Sequence, residues 1–319
     1  MIRKLLVFAF VVSLLLSASS VPSAAEAIKL QFAGYHPPTH MVSTLMAGYA
    51  EEVNKRLKGK VEVAAFPGGT LLSATKMAAG VQTGIADIGF SHCSYSRGRF
   101  PVMEIMELPL GLPSSWIATH VANDFYNKFK PKEWDNYHVL LFTTSPVNVV
   151  QTVSKPVKSL DDLKGMKIRG TGRSGDIVKA LGAVPMPIET PDLYEAIRRG
   201  VVDGAYLTLE TLKGFKTGEL LKFTTESWKL GSVYTFYIVM NKQKWTSLPP
   251  EAQKVFTDTS NEFIERFARG FNDIDIEGRD YFLKQGGKLV SISDGESAQW
   301  IEAVGPVILR LKNDLASNG

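Results

Sequence analysis

The chain has 319 residues, with 36 Lys and Arg against 32 Asp and Glu, a formal net charge of +4, and a single cysteine. One thiol excludes an intramolecular disulfide, so the fold must hold together by core packing alone. The mild, evenly spread positive charge suits a site for small anions and excludes a nucleic-acid binder, because no arginine-rich run and no basic stripe interleaved with aromatics occurs.

Residues 1–27 read as an export signal. Arg3 and Lys4 make a basic head, residues 5–16 an apolar stretch broken only by Ser13, and Ala25-Glu26-Ala27 fits the A-x-A cleavage pattern. The stretch is too short and wrongly flanked for a spanning helix. Cys93 lies far from it and offers no lipid anchor. The expectation is a free periplasmic protein.

Residues 28–34 predict a first strand. Val42, Leu45, Met46, Tyr49, Val53 and Leu57 recur three and four apart and predict an amphipathic helix ended by Gly59. Residues 61–66 read as a strand, 73–82 as a short helix and 85–90 as another strand. This is the β-α-β-α-β order of a parallel sheet covered by helices. Trp116, Ile117, Val121, Phe125 and Phe129 mark a helix face, and 139–143 and 147–153 are strand-like. The pattern then restarts: Ser159 and Asp162 are spaced to cap a helical turn, 166–169 is a strand, 174–181 a helix, and 184–188 a strand. Thr190 is a good N-cap with Pro191 at the first helical position, and 201–207 is the next strand. Residues 233–240 predict a strand that returns to the first unit. Pro249-Pro250 then opens a helix carried by Phe256, Phe263, Phe267, Phe271, Ile274 and Phe282 as far as Gly286-Gly287. About 35 residues at 1.5 Å each span roughly 50 Å, enough to cross two lobes. A last strand at 288–293 and a helix at 296–311 complete the chain. The expected fold is α/β and two-lobed, like that of periplasmic binding proteins, with a hinge. Lobe 1 is 28–148 plus 235–270, lobe 2 is 149–234 plus 271–319, and the helix 250–284 is shared.

The sharpest local pattern is Gly170-Thr171-Gly172-Arg173-Ser174-Gly175, a G-x-G-x-x-G run between a strand and a helix, with Glu189 about 20 residues on. Read literally it predicts a dinucleotide enzyme. Its mechanics equally suit a carboxylate, since glycines admit close approach and a helix N-terminus offers amides to an anion. Arg169 ends the preceding strand, at the carboxyl edge where open α/β sheets bind ligands, and a guanidinium grips a carboxylate bidentately. The remaining ligand candidates come from strand ends and turns: Gly170, Thr171, Arg173, His36, Ser91, His92, Thr190, Tyr206 and Thr208, with Tyr234 and Phe236 sharing one strand face as an aromatic wall. Tyr237 takes the other face. His36 and His40 are separated by prolines that forbid a shared helical face, so no metal is expected. His92 and Cys93 point apart on an extended chain, and Cys93 reads as a buried inert thiol. No nucleophile elbow, zinc motif or P-loop occurs, and neither a catalytic residue nor a cofactor is expected. An exported hydrolase lacks a convincing nucleophile, base and acid. An accessory sensor without a ligand stays open at this point.

Asp161-Asp162-Leu163-Lys164-Gly165-Met166-Lys167-Ile168-Arg169 resembles the D-L-K-G-x-K-[IV]-R segment of DctP-type solute-binding proteins of tripartite ATP-independent periplasmic (TRAP) transporters. The likeness continues through Ala180-Leu181-Gly182-Ala183, Tyr194-Glu195-Ala196-Ile197, Gly200-Val201-Val202-Asp203-Gly204 and Met240-Asn241. Upstream it includes Phe66-Pro67-Gly68-Gly69-Thr70-Leu71 and Gln82-Thr83-Gly84-Ile85-Ala86-Asp87. The resemblance implies a receptor, not an enzyme, that delivers a small organic acid to TRAP membrane permease subunits driven by an ion gradient. It also implies that Arg169 grips the ligand carboxylate. Some relatives carry a second arginine near residue 150, where this chain has Asn148-Val149-Val150-Gln151. Many carry an acid after the Asp-Gly pair, where this chain has Ala205-Tyr206-Leu207. Both departures point to a monocarboxylate with an apolar or aromatic body. The acid is expected to dock on Arg169 and the amides after Gly170. The first lobe then closes over it through Tyr35-His36 and Ser91-His92, with a hinge near 145–150 and 232–236.

Overall fold

A computed structural model describes residues 26–317, so all but the last two residues of the expected export signal lie outside the described residues. In chain order, β1 (Ile28–Gly34), α1 (Met41–Leu57), β2 (Val61–Phe66), α2 (Met77–Gln82), β3 (Ile88–His92), α3 (Ser115–Phe129) and β4 (Tyr137–Thr144) come first. Then follow β5 (Val149–Thr152), α4 (Leu160–Leu163), β6 (Lys167–Arg169), α5 (Gly172–Ala180), β7 (Val184–Met186), α6 (Leu193–Arg198), β8 (Gly204–Leu207), α7 (Glu210–Gly214) and β9 (Phe223–Thr225). The chain ends with β10 (Thr235–Asn241), α8 (Lys242–Ser247), α9 (Pro250–Lys284), β11 (Lys288–Val290) and α10 (Asp294–Ser317).

The strands form two mixed sheets, one of five strands in the order β2-β1-β3-β10-β4 and one of six in the order β11-β9-β5-β8-β6-β7. In the first, β1 runs parallel to β2 and β3, while β10 lies antiparallel between β3 and β4. The return of 233–240 to the first sheet is therefore as expected. Two short segments pass between the sheets side by side: Ser145 N donates to Tyr234 O at 2.9 Å and Asn148 N to Ser232 O at 2.9 Å.

Local chemistry sets the element ends. The His40 ring caps α1 by accepting from Val42 N at 3.1 Å, and the left-handed turn that ends it takes in Lys58 as well as the expected Gly59. Ser159 and Asp162 form the anticipated capping box at α4. Thr190 is not an N-cap: the cap position of the short 3-10 turn Thr190–Asp192 belongs to Glu189, and the Thr190 side chain turns inward instead. The expected helix at 73–82 starts only at Met77, and β9 and α7 were not foreseen, being short pieces without a usable period.

Helix α9 spans 35 residues, as the aromatic spacing predicts. Phe263, Phe267 and Phe271 on it are fully buried in one core with Phe32, Phe90 and Ile238 of the first sheet, Ala205 and Leu207 of the second, and Leu212 of α7. Phe100, Trp134 and Tyr237 pack on the outer face of the first sheet. Val150, Ile168 and Tyr206 pack against Ile177 and Trp300 on the outer face of the second. Gly278 lets α9 approach α7 closely, since a Cβ there would lie 2.2 Å from the Leu209 carbonyl oxygen.

Candidate functional site

Arg169 is the last residue of β6 and is fully buried. Its Nε donates to Ile188 O at 2.9 Å, Nη1 to Tyr234 Oη at 2.8 Å, and Nη2 to Tyr95 Oη at 3.2 Å and Thr190 Oγ1 at 3.1 Å. Every one of these partners is neutral. Burial opposes its charge, but the surrounding Tyr234, Tyr95 and Tyr35 oxygens outweigh it and hold the guanidinium above its usual pKa. A buried cation without a counter-charge is an unfinished pair. Tyr95, on the 3-10 turn Cys93–Ser96 after β3, also accepts from Thr190 N at 2.7 Å, and Tyr234 Oη is bonded to Ser174 Oγ at 2.6 Å. The arginine is thus framed by groups that reach it from both sheets.

Beside this frame lies a narrow cavity with a free volume of only about 10 Å³, lined by Tyr35, His92, Thr190, Glu210, Phe215 and Phe236 among others. That is room for about one water molecule and far below the roughly 300–1,000 Å³ of sites for drug-sized molecules, so the walls must part for a ligand to enter. Aromatic rings make a continuous wall: His92 sits 3.8 Å from Tyr95 and 4.7 Å from Tyr234, and Tyr35 stacks on His36 at 4.2 Å. Burial pushes the His36 ring well below its ordinary pKa, helped by His40 and His92. Burial and then Arg169 do the same to His92. Both rings are therefore neutral, and the Nδ1 of each has no partner among the described residues. Burial raises the Tyr35 phenol, which keeps its proton.

Six of the expected residues, His36, His92, Thr190, Thr208, Tyr234 and Phe236, line the cavity, and Arg169 adjoins it through Thr190 and Tyr234. Five others, Ser91, Tyr206, Arg173, Gly170 and Thr171, do not line it. Ser91 lies on the opposite face of β3 from His92, with its Oγ on Ala74 O at 3.0 Å. Tyr206 projects from the far face of β8, where its Oη meets Ser232 Oγ at 2.7 Å. Arg173 is used up by Glu104, at 2.8 Å, and Asp176. Two amides at the start of the turn are also spoken for: Gly170 N donates to Met186 O at 3.1 Å and Thr171 N to Ser174 Oγ at 2.9 Å. The glycine run is a packing turn. Gly172 holds φ +52°, and a Cβ there would lie 2.6 Å from Ser94 Oγ. Gly170 and Thr171 border a separate open groove with Arg97 and Asp176, and Glu189, the acid at the fingerprint spacing, bonds Thr75.

Sequence reasoning missed Tyr95, Ser145, Leu207, Glu210, Thr211 and Phe215. Tyr95 lies one turn beyond a strand end, and Glu210, Thr211 and Phe215 come from α7 and the residue after it, a helix too short to announce itself. Leu207 was noted only as a departure from a family pattern.

The DctP model, bacterial extracellular solute-binding protein family 7, matches residues 32–314. The chain belongs to this family. A TRAP periplasmic solute-binding protein from Desulfovibrio salexigens, solved as an open complex with the C-terminus of a symmetry mate in its ligand-binding site, is 33% identical. That match covers 92% of this chain and 91% of the other, with a TM-score of 0.79. A TRAP solute-binding protein from Rhodoferax ferrireducens in complex with copurified benzoate is 25% identical over 92% and 93% of the two chains, with a TM-score of 0.86. A marine metagenome TRAP solute-binding protein specific for aromatic acid ligands, with 3-hydroxybenzoate, is also 25% identical, over 92% and 94%, with a TM-score of 0.87. A DctP-family chain is a solute-binding protein of the periplasmic class and not an enzyme. The dinucleotide and hydrolase readings of the glycine run are therefore set aside. Cys93 is fully buried, and burial raises its thiol pKa well above the ordinary value.

Proposed function

We propose that this DctP-family chain is exported to the periplasm and closes over a small monocarboxylate with an apolar or aromatic body, which it hands to the membrane permease of an ion-driven TRAP transporter. The observation that carries this reading is the Arg169 guanidinium, buried with neutral partners only, at the edge of a small aromatic-walled cavity. A ligand carboxylate completes that pair. A second carboxylate clamp has no cation here: Asn148 stands on the crossover, and Leu207 gives the cavity an apolar wall. Related receptors holding benzoate and 3-hydroxybenzoate support the aromatic class.

Each sheet with its helices acts as a lobe, and the crossovers at 145–148 and 232–234 act as the hinge. Contacts between groups from the two sides favour closure: Tyr95 to Thr190 at 2.9 Å, Arg97 to Asp176 at 2.8 Å and His40 to Glu210 at 2.9 Å. A ligand that touches both sides shifts the open–closed balance. The test is a thermal-shift screen of the mature chain against monocarboxylates, dicarboxylates, sugar acids, amino acids and NAD. An aromatic or apolar monocarboxylate at about 100-fold above its Kd is expected to add roughly 2.7 kcal/mol, and Arg169→Ala is expected to remove about 2–5 kcal/mol of binding. Stabilisation by succinate alone, or equal affinity for the native and Arg169→Ala proteins, would overturn the reading.

A further inference from the structure

The cavity has two unlike poles. At one end stand Thr190 and Tyr234, the partners of Arg169. At the other stands Glu210, 5% exposed, which is hydrogen-bonded to His40 Nε2 at 2.9 Å and accepts from Thr208 Oγ1 at 3.1 Å. A chain of rings links the two. His92 touches Tyr95 and Tyr234 at the arginine end. Tyr35 contacts both His92, at 6.3 Å, and His36. His36 lies 4.7 Å from His40, the partner of Glu210. Between the poles the walls are Tyr35, Leu207, Phe215 and Phe236.

A carboxylate has about four acceptor positions, and among the described residues each Glu210 oxygen has one hydrogen-bond partner, so a residue that lines the cavity keeps acceptor capacity. An acidic group at this pole repels a second ligand carboxylate and attracts a hydrogen-bond donor. His40 donates to Glu210 through Nε2, because its Nδ1 accepts from Val42 N, and between apolar walls a neutral donor on the ligand costs less to desolvate than an ammonium. His36 Nδ1, buried and without a partner among the described residues, offers a second contact at the same end.

We infer that Glu210 is a specificity-determining residue that reads a hydroxyl group at the end of the ligand remote from its carboxylate, so that the preferred ligands are hydroxylated aromatic or apolar monocarboxylates. This rests on the carboxylate reading above and sharpens it. The full mature protein is titrated calorimetrically with matched pairs: benzoate against 3- and 4-hydroxybenzoate, and phenylacetate against its 3- and 4-hydroxy forms. At least one hydroxy acid is expected to bind about tenfold or more tightly than its parent, the size of a hydrogen bond to a charged group. In Glu210→Ala that ratio should collapse to about threefold or less, whereas Glu210→Gln, which keeps an acceptor oxygen, should retain part of it. Because the ratio is taken within one protein, a general loss of stability in a variant leaves it readable. Native protein that binds parent and hydroxy acids equally would overturn the inference and leave the carboxylate reading intact. So would a preference that survives in Glu210→Ala, or tighter binding of an amino-substituted acid. No binding of any acid would overturn the carboxylate reading itself, and this inference with it.

Discussion

Arg169 is buried with neutral partners only, which is what the proposed carboxylate site requires of it. A guanidinium buried with neutral partners carries a desolvation cost that a packed apolar side chain of similar volume avoids. Arg169→Met is therefore expected to leave the melting temperature of the empty protein unchanged or raised, and to abolish the thermal shift given by acids; strong destabilisation of the empty protein would show that the arginine is structural. Other buried groups make stability depend on pH in opposite senses. His36 and His92 lie well below their ordinary value, so the unfolded chain takes up protons that the folded one refuses, and stability falls as pH drops below about 6.5. Burial raises the Glu107 carboxyl from 4.5 to about 8. It accepts from Ser94 Oγ and from Thr235 N at 3.0 Å. Its folded form keeps a proton that the unfolded form has lost, so its contribution is full below about pH 4.5 and is lost as pH rises towards 8. Glu107→Gln should flatten the alkaline limb of a Tm-against-pH curve and leave the acidic limb alone. Much of this residue-level chemistry was legible. Arg169 at a strand end, and Tyr234 with Phe236 on one face, follow from period and topology. Ser91 and His92 alternate faces, so only one of them was able to reach the cavity, and nothing in the sequence says which side of the sheet holds it. Tyr206 failed for the same reason, because both faces of β8 are buried.

Among the elements, the glycine run shows how one pattern serves two mechanics. A G-x-G-x-x-G turn before a helix is read as an anion cradle because its amides are free. Here the Gly170 and Thr171 amides bond Met186 and Ser174, and the small residues exist for packing against Ser94 and within the turn itself. Replacing Gly172 by valine forces a β-branched side chain to φ +52° against Ser94. It should cost about 1–3 kcal/mol in denaturant unfolding, while the order of preference among acids stays unchanged. A changed order would return the turn to the binding site. Helix α9 and the capping box at Ser159 and Asp162 were legible because long periods and side-chain caps are local signals. Helix α7 was not, since a helix of 5 residues has no period to read, and its Glu210 looks in sequence like any surface acid.

For the whole molecule, two mixed sheets share one core along α9, and two adjacent crossovers join them. Arg169, Tyr95, Thr190 and Glu210 stand around a cavity with little spare room, as the proposed closed form requires. Small-angle scattering should show the radius of gyration falling when a stabilising acid is added, and Arg169→Ala should not respond. The whole account turns on where the carboxylate sits. The most direct measurement is a crystal structure of the mature protein with the tightest acid from the screen. The prediction is a carboxylate within hydrogen-bond distance of Arg169, with the body of the ligand between Tyr35, Phe215 and Phe236. An acid bound in the open groove beside Thr171 and Arg97, with Arg169 still held only by Tyr95, Thr190 and Tyr234, would contradict it.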